Sequence, residues 1–230
     1  MVSSLFDETA GTFAAGTDEQ LARNRYTRGE RFVEAVLAST ARPADVLDYG
    51  CGPGRLAQLI GRQGYRVLGV DSSRGMIEEA RRLDLGGAAV RFELCDEHGD
   101  GLESNRYQAV VCSSVIEYVK DYRRLLGNFS RCLKHQGTMI LSYANRHSLW
   151  RRYADWRSCR REPHHALQHN LWNLEECERQ LRSCGFAIFG GAKFFDSPLD
   201  QHRILAAIGK LELVGTLGLV TARHVETTRS

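Results

Sequence analysis

The chain has 230 residues, with 31 Lys plus Arg against 28 Asp plus Glu, a formal net charge of +3. Hydrophobic residues make up 43% and charged residues 26%, the balance of an ordinary folded protein. That composition excludes a disordered, collagen-like or multi-span membrane chain, and so small a positive surplus gives no basic field for nucleic acid.

The spacing of Leu21, Tyr26, Phe32, Val33, Val36 and Leu37 predicts a helix over 18–38. A short apolar run at 44–48 ends at glycine and reads as a buried strand. A helix over 55–62, a strand over 65–71, a helix over 74–83 and a strand over 88–94 follow. Residues 108–113 form a fourth strand, 121–133 a helix and 137–143 a fifth strand. Strands alternating with helices argue for a parallel sheet covered on both faces. From 145 to 171 the pattern breaks into a segment rich in Arg, His and Trp with no clear period, and a loop this long usually carries function. Regular structure returns over 173–184, with Asn173 as N-cap and Gly185 as the stop, and two more strands are expected over 186–195 and 213–223. The expected organisation is a single domain over 1–230. It has a helical N-terminal cap at about 1–40, a core at about 44–144 and an acceptor-side insertion at about 145–172.

Seven scattered cysteines with no C-x-x-C pair read as reduced thiols in the cytoplasm. Residues 1–15 carry Asp7 and Glu8 and do not read as a signal peptide. The apolar stretch 204–222 is broken by Lys210 and Glu212, so no stable membrane insertion is expected.

The chemistry concentrates where the first strand runs into Asp48-Tyr49-Gly50-Cys51-Gly52-Pro53-Gly54. Alternate glycines let the backbone turn sharply and approach a ligand at the carboxyl end of a strand, where open α/β sheets bind. A dinucleotide fingerprint starting at Gly50 would need glycine at position 55, and Arg55 stands there. Asp71 closes the second strand, where an acid can accept hydrogen bonds from ribose hydroxyls, and Asp96 follows the third, within reach of an adenine amino group.

Together, Asp48-x-Gly50-x-Gly52-x-Gly54, Asp71 and Asp96 resemble the cofactor motifs of class I S-adenosylmethionine-dependent methyltransferases. Val115-Ile116-Glu117-Tyr118-Val119 resembles that family's segment before the next helix, with Tyr118 in place of the more usual His. The resemblance covers residues 31–143 and is strongest to the small-molecule branch that includes the ubiquinone-pathway O-methyltransferases. It implies a Rossmann-like, seven-stranded, mostly parallel sheet flanked by helices, with the last strand antiparallel, and S-adenosyl-L-methionine as cofactor. Carried over residue by residue, it sets Asp48, Gly50, Cys51 and Gly52 at the methionine part of the cofactor. Asp71 with Ser72 would meet the ribose, Asp96 with Glu97 the adenine, Ser113 the ribose or sulfonium, and Arg31 the cofactor carboxylate.

The expected activity is methyl transfer to a small-molecule acceptor, with a hydroxyl oxygen favoured. Alternatives are a nitrogen acceptor, a sugar or lipid precursor or, in another class, a regulatory protein that binds the cofactor without turnover. A hydroxyl acceptor needs a base, and the insertion offers His147, His164, His165 and His169. His169 is the first choice, ahead of His165, with Tyr118 and Tyr143 expected at strand ends facing the pocket. His165 and His169 could share a helical face, but no third ligand stands at a matching spacing, so no metal is expected. Trp150, Trp156, Trp172, Tyr153 and the arginines among them suit a lid over an anionic or aromatic acceptor, or a solvated helix. The stretch 204–214 reads as a helix packed on the sheet before the last strand, rather than a membrane-surface segment. No nucleic-acid partner is expected, and the state is a monomer or homodimer.

Overall fold

The structure, a computed structural model, describes residues 4, 6–8, 10–11, 19–157, 167–195, 211–213 and 215–225. His164 and His165 lie outside these residues, as does most of the stretch 204–214.

Helix α1 (Glu19–Ser39) leads into β1 (Asp45–Tyr49). Helix α2 (Arg55–Arg62), β2 (Arg66–Asp71), α3 (Arg74–Arg81) and β3 (Val90–Leu94) follow. Strand β4 (Tyr107–Cys112) leads through a 3-10 turn at Ile116–Tyr118 to α4 (Tyr122–Cys132) and β5 (Leu133–Asn145). The chain continues through α5 (Leu149–Arg157), β6 (Leu171–Trp172), α6 (Leu174–Ser183), β7 (Phe186–Phe195) and β8 (Leu217–His224).

These strands form one sheet in the order β3-β2-β1-β4-β5-β8-β7, and β6 pairs with β5 off that path. The pairs from β3 through β5 are parallel, while β8 runs antiparallel to both β5 and β7. The sheet therefore has eight strands where the resemblance implied seven, and the addition is the two-residue β6. The architecture is otherwise the expected Rossmann-like one.

Side-chain alternation divides the core between the two faces. Val46, Ala109, Val111 and Ile140 pack with Phe32 of α1 and Ile60 of α2. Leu47, Val110, Cys112 and Leu141 pack with Leu126 and Phe129 of α4 and Leu181 of α6. The chain builds β1, β2 and β3 outward in one direction and then returns to β4 and β5 on the other side of β1. The crevice between β1 and β4 is thus a topological switch point, the usual ligand position in such sheets.

Two departures from the sequence pattern have local causes. Residues 149–157 are helical because Ser148 caps the turn: its Oγ accepts from the Arg151 amide at 3.2 Å and its carbonyl from the Arg152 amide at 3.1 Å. Tyr143 does not face the crevice. It lies inside β5 rather than at its end, fully buried, with its ring against Gly218 and 6.4 Å from the ring of Trp172.

Candidate functional site

The loop after β1 is closed by its own backbone. The amides of Gly50 and Cys51 both donate to the Val70 carbonyl, at 2.8 and 2.9 Å, and the Gly54 amide donates to the Cys51 carbonyl at 3.0 Å. Gly50 has φ +70° and an added Cβ would lie 2.1 Å from Val115 Cγ2, so no other residue fits. Gly52 has φ +52° and room where a Cβ would stand, the nearest neighbour there being Met76 Sδ at van der Waals distance, 4.0 Å. The loop thus packs tightly on one side and leaves bare backbone on the other, a cradle that a ligand's own atoms can fill.

Asp71 ties this loop to the next strand end. Its Oδ2 accepts from the Gly52 amide and its Oδ1 from the Ser73 amide, each at 2.9 Å. Burial pushes its pKa up, and the amides of Ser73, Gly52 and Ser72 pull against that shift. The carboxylate still has a lone pair to offer a ligand hydroxyl. Asp48 sits beneath the loop at 1% exposure, with Oδ2 lacking a hydrogen-bond partner. Burial first, then the charge of Asp71, pushes its carboxyl up to about 7, against the help of the Ala57 amide. Buried Cys51 has its thiol raised well above the usual range, so it serves as packing.

At the third strand end, Asp96 Oδ1 accepts from the His98 amide at 2.8 Å and Oδ2 from the Asp100 amide at 3.0 Å. Burial opposes its charge, but the amides of His98, Asp100 and Gly99 hold the carboxyl below its ordinary value. The Tyr49 hydroxyl donates to the Asp96 carbonyl at 3.0 Å, which fastens this turn to the end of β1. Ser72 and Glu97 are exposed beside these two acids, and Ser113 is half-buried at the end of β4. Arg31 is half-buried on α1, its Nε without a hydrogen-bond partner.

On the far side of the crevice the turn after β4 meets the end of the insertion. The amides of His169 and Asn170 donate to the Glu117 carbonyl at 2.6 and 3.2 Å. The His169 side chain is exposed, so its backbone is the part that reaches the turn. Tyr118 is half-buried, takes a hydrogen bond from Gln168 Nε2 at 3.3 Å and stacks edge-on against Phe6 at 5.6 Å. Burial, then Glu117, pushes its phenol up to about 12, so it stays protonated as a donor. His147 is drawn elsewhere, 3.4 Å from Glu212 and 3.3 Å from Asn173.

Several groups that the sequence pattern did not single out belong to this crevice. Arg28 donates from Nη1 to Ser114 Oγ at 2.9 Å, and it stands three positions before Arg31, one turn away on α1. Ser114 holds φ +55°, with its amide donating to the buried Ser142 Oγ at 2.8 Å. A non-glycine residue in that conformation often marks a functional site. Asp7 accepts from Ser73 Oγ at 2.6 Å and the Gly75 amide at 3.0 Å, which brings the N-terminal segment onto the start of α3. Glu117 did carry a signal, an acid within the otherwise apolar Val115-Ile116-Glu117-Tyr118-Val119. Asp7 carried none, being 66 residues from Ser73.

Among the described residues no group of three His, Cys, Asp or Glu could hold a metal ion, and no helix is long and apolar enough to cross a membrane.

A family model described as a methyltransferase domain matches residues 21–189. The chain is 34% identical over 178 residues to an uncharacterized 37.1 kDa protein of a Streptomyces fradiae transposon, covering 74% of this chain and 51% of that protein. It is 28% identical over 117 residues to ubiquinone biosynthesis O-methyltransferase of Coxiella burnetii, covering 50% of this chain and 49% of that enzyme. The chain spans about half the length of these curated relatives. Among solved structures, a chain of the Haloferax volcanii complex of the Trm112 methyltransferase activator with a methyltransferase aligns with TM-score 0.70 at 18% identity. That alignment covers 96% of this chain and 98% of the other. Magnesium protoporphyrin IX methyltransferase of Synechocystis, with bound SAH, aligns with TM-score 0.67 at 17% identity, covering 90% and 86%. At those identities the likeness is one of fold.

Proposed function

Because the chain belongs to the family of methyltransferase domains, we propose that it transfers a methyl group from S-adenosylmethionine to a small-molecule acceptor, at a hydroxyl oxygen. The observation that carries this reading is the open backbone face at Gly52, with Asp71 and Asp96 at the two neighbouring strand ends and no glycine at Arg55. The residues present suit that cofactor. The bare loop accepts its methionine part beside Asp48, Gly50, Cys51 and Gly52. Asp71 and Ser72 accept from its ribose, Asp96 and Glu97 take the adenine, and Ser113 borders the reacting centre. The unpartnered Nε of Arg31 is available to its carboxylate.

When bound, the sulfonium supplies an activated methyl carbon and a neutral leaving group. The protein's part is alignment and exclusion of water, for which a closed, oriented crevice is the main device. Tyr118, still protonated, suits a donor that orients the acceptor oxygen. Of the two histidines expected as the base, His169 has its side chain exposed and His165 lies outside the described residues.

Calorimetry with S-adenosylmethionine against NADH separates this reading from a dinucleotide enzyme, and preferential NADH binding would sink it. Asp71→Ala should weaken the affinity for S-adenosylmethionine by about 1.5–3 kcal/mol, as expected for lost hydrogen bonds to a charged group. An unchanged affinity would remove Asp71 from the ribose site. Release of label from S-adenosylmethionine onto small hydroxylated acceptors tests turnover itself.

A further inference from the structure

The proposed reaction leaves the side chain of Glu117 without a task. It is 2% exposed, and its Oε2 is buried without a hydrogen-bond partner. The turn that carries it is held from the insertion side: Asn170 Nδ2 donates to the carbonyls of Ile116 and Val119, each at 2.8 Å, and the amides of His169 and Asn170 occupy the Glu117 carbonyl. With the backbone of the turn so well satisfied, the one buried carboxyl oxygen left without a partner calls for an explanation, and a ligand group would supply it.

The surroundings of Glu117 are polar and come from four elements. The guanidinium groups of Arg28 on α1 and Arg151 on α5 bear on its charge, Tyr118 follows it in the turn, and its own charge helps to raise the Cys112 thiol of β4. Arg151 also bonds Gln168, which reaches the Tyr118 hydroxyl. Arg28, Tyr118, Arg151 and Gln168 are all half-buried, a polar rim around a buried carboxyl four residues beyond Ser113 at the end of β4.

Resting on the reading of methyl transfer to a hydroxyl, we propose that Glu117 is the group that accepts the acceptor's proton. The O–H bond of the acceptor breaks and its proton passes to Glu117 Oε2. The oxygen lone pair forms the new bond to the methyl carbon, and the bond from carbon to sulfur breaks with its electron pair staying on sulfur, which leaves as a neutral thioether. Glu117 returns the proton to water as product departs. Burial raises its carboxyl to about 7, against the pull of Arg28 and Arg151, close to the working pH that suits a general base. Tyr118 is pushed to about 12 and is a poor acceptor of protons at neutral pH.

The test uses the full chain with labelled S-adenosylmethionine and two probes, catechol and 4-nitrocatechol, whose hydroxyl ionises far more readily. Glu117→Gln should lower turnover of catechol by roughly 10²–10⁴-fold, the usual contribution of a general base. Turnover of 4-nitrocatechol should fall much less, and calorimetric affinity for S-adenosylmethionine should stay within threefold. The unaltered protein and Glu117→Asp should show kcat/KM for catechol rising with pH through the neutral range, a limb absent from Glu117→Gln. Independently of turnover, infrared titration of the unliganded protein should show a protonated carboxyl band near pH 7 that Glu117→Gln removes in part. The proposal is overturned if the variant loses both probes equally, keeps catechol turnover, or leaves the carboxyl band unchanged. It is also overturned if the unaltered protein binds S-adenosylmethionine yet methylates neither probe. Failure to bind S-adenosylmethionine at all would instead strike the underlying cofactor reading.

Discussion

At the scale of single residues, the site gathers acids whose charge the fold opposes. Asp48 is the clearest, because it is buried, has an unpartnered oxygen and lies beside the charge of Asp71. Unfolded, Asp48 releases its proton near pH 4; folded, near 7. Between those values the native state binds more protons than the unfolded one. Stability from the neutral form is therefore complete below about pH 4 and lost as pH rises through about 7. Asp48→Asn keeps an acceptor oxygen for the Ala57 amide and removes the titration. Relative to the unaltered protein, this variant should gain on the order of 2–4 kcal/mol between pH 5 and pH 8, read by denaturant unfolding without ligand. A gap that stays constant with pH would show that Asp48 does not titrate in the native state. Under the proposed cofactor site, the cationic ligand would favour the ionised form of Asp48.

Among the elements, helix ends do much of the positioning. Helix α3 begins at Ser73, whose Oγ accepts from the Met76 amide at 3.1 Å while donating to Asp7. Helix α6 starts with a full capping box: Asn173 Oδ1 accepts from the Glu176 amide at 2.7 Å, and Glu176 Oε2 accepts from the Asn173 amide at 3.1 Å. This box follows β6 directly and so fixes where the insertion rejoins the core. Asn173→Ala should destabilise the protein by about 1 kcal/mol, as for a lost N-cap. For a chain of this size that is roughly 2–4 °C in Tm. Thermal melts read it, and an unchanged Tm would mean that packing of Cys177 and Leu181 alone sets the start of the helix. The anchor at the other end of the insertion is Asn145, fully buried, with Nδ2 donating to the carbonyls of Glu212 and Gly215 at 2.5 and 2.7 Å. Together these ends set residues 167–170 against the turn that carries Glu117.

For the molecule as a whole, the two core faces and the switch point between β1 and β4 make one end of the sheet the proposed binding end. A ligand that binds only the native state stabilises by mass action, about 2.7 kcal/mol at a hundredfold excess over Kd. S-adenosylmethionine at that excess should therefore raise Tm by roughly 5–11 °C at 2–4 °C per kcal/mol. Hydrogen exchange should show the added protection at 50–54 and 71–73 beyond any global effect, with β7 and β8 following only the global change. Protection confined to β7 and β8 would place the ligand elsewhere.

Much of this molecule is written locally. The alternation of strands and helices, the caps at Asn173 and Gly185 and the spacing of Gly50, Gly52 and Gly54 follow from short-range chemistry, since period, capping and backbone freedom act within a few residues. Those features determined the fold class and the proposed cofactor end of the crevice. What only the tertiary structure decided depends on contacts between distant segments. Asp7 meets Ser73, Arg28 meets Ser114, and Asn170 clamps the turn at Ile116–Tyr118. Tyr143 was placed inward by the packing of β5 against β8, where Gly218 leaves room for its ring. Burial itself is a property of the assembled fold. No sequence pattern reveals that Glu117 and Asp48 have lost their water, and that loss is what moves their protons toward neutral pH.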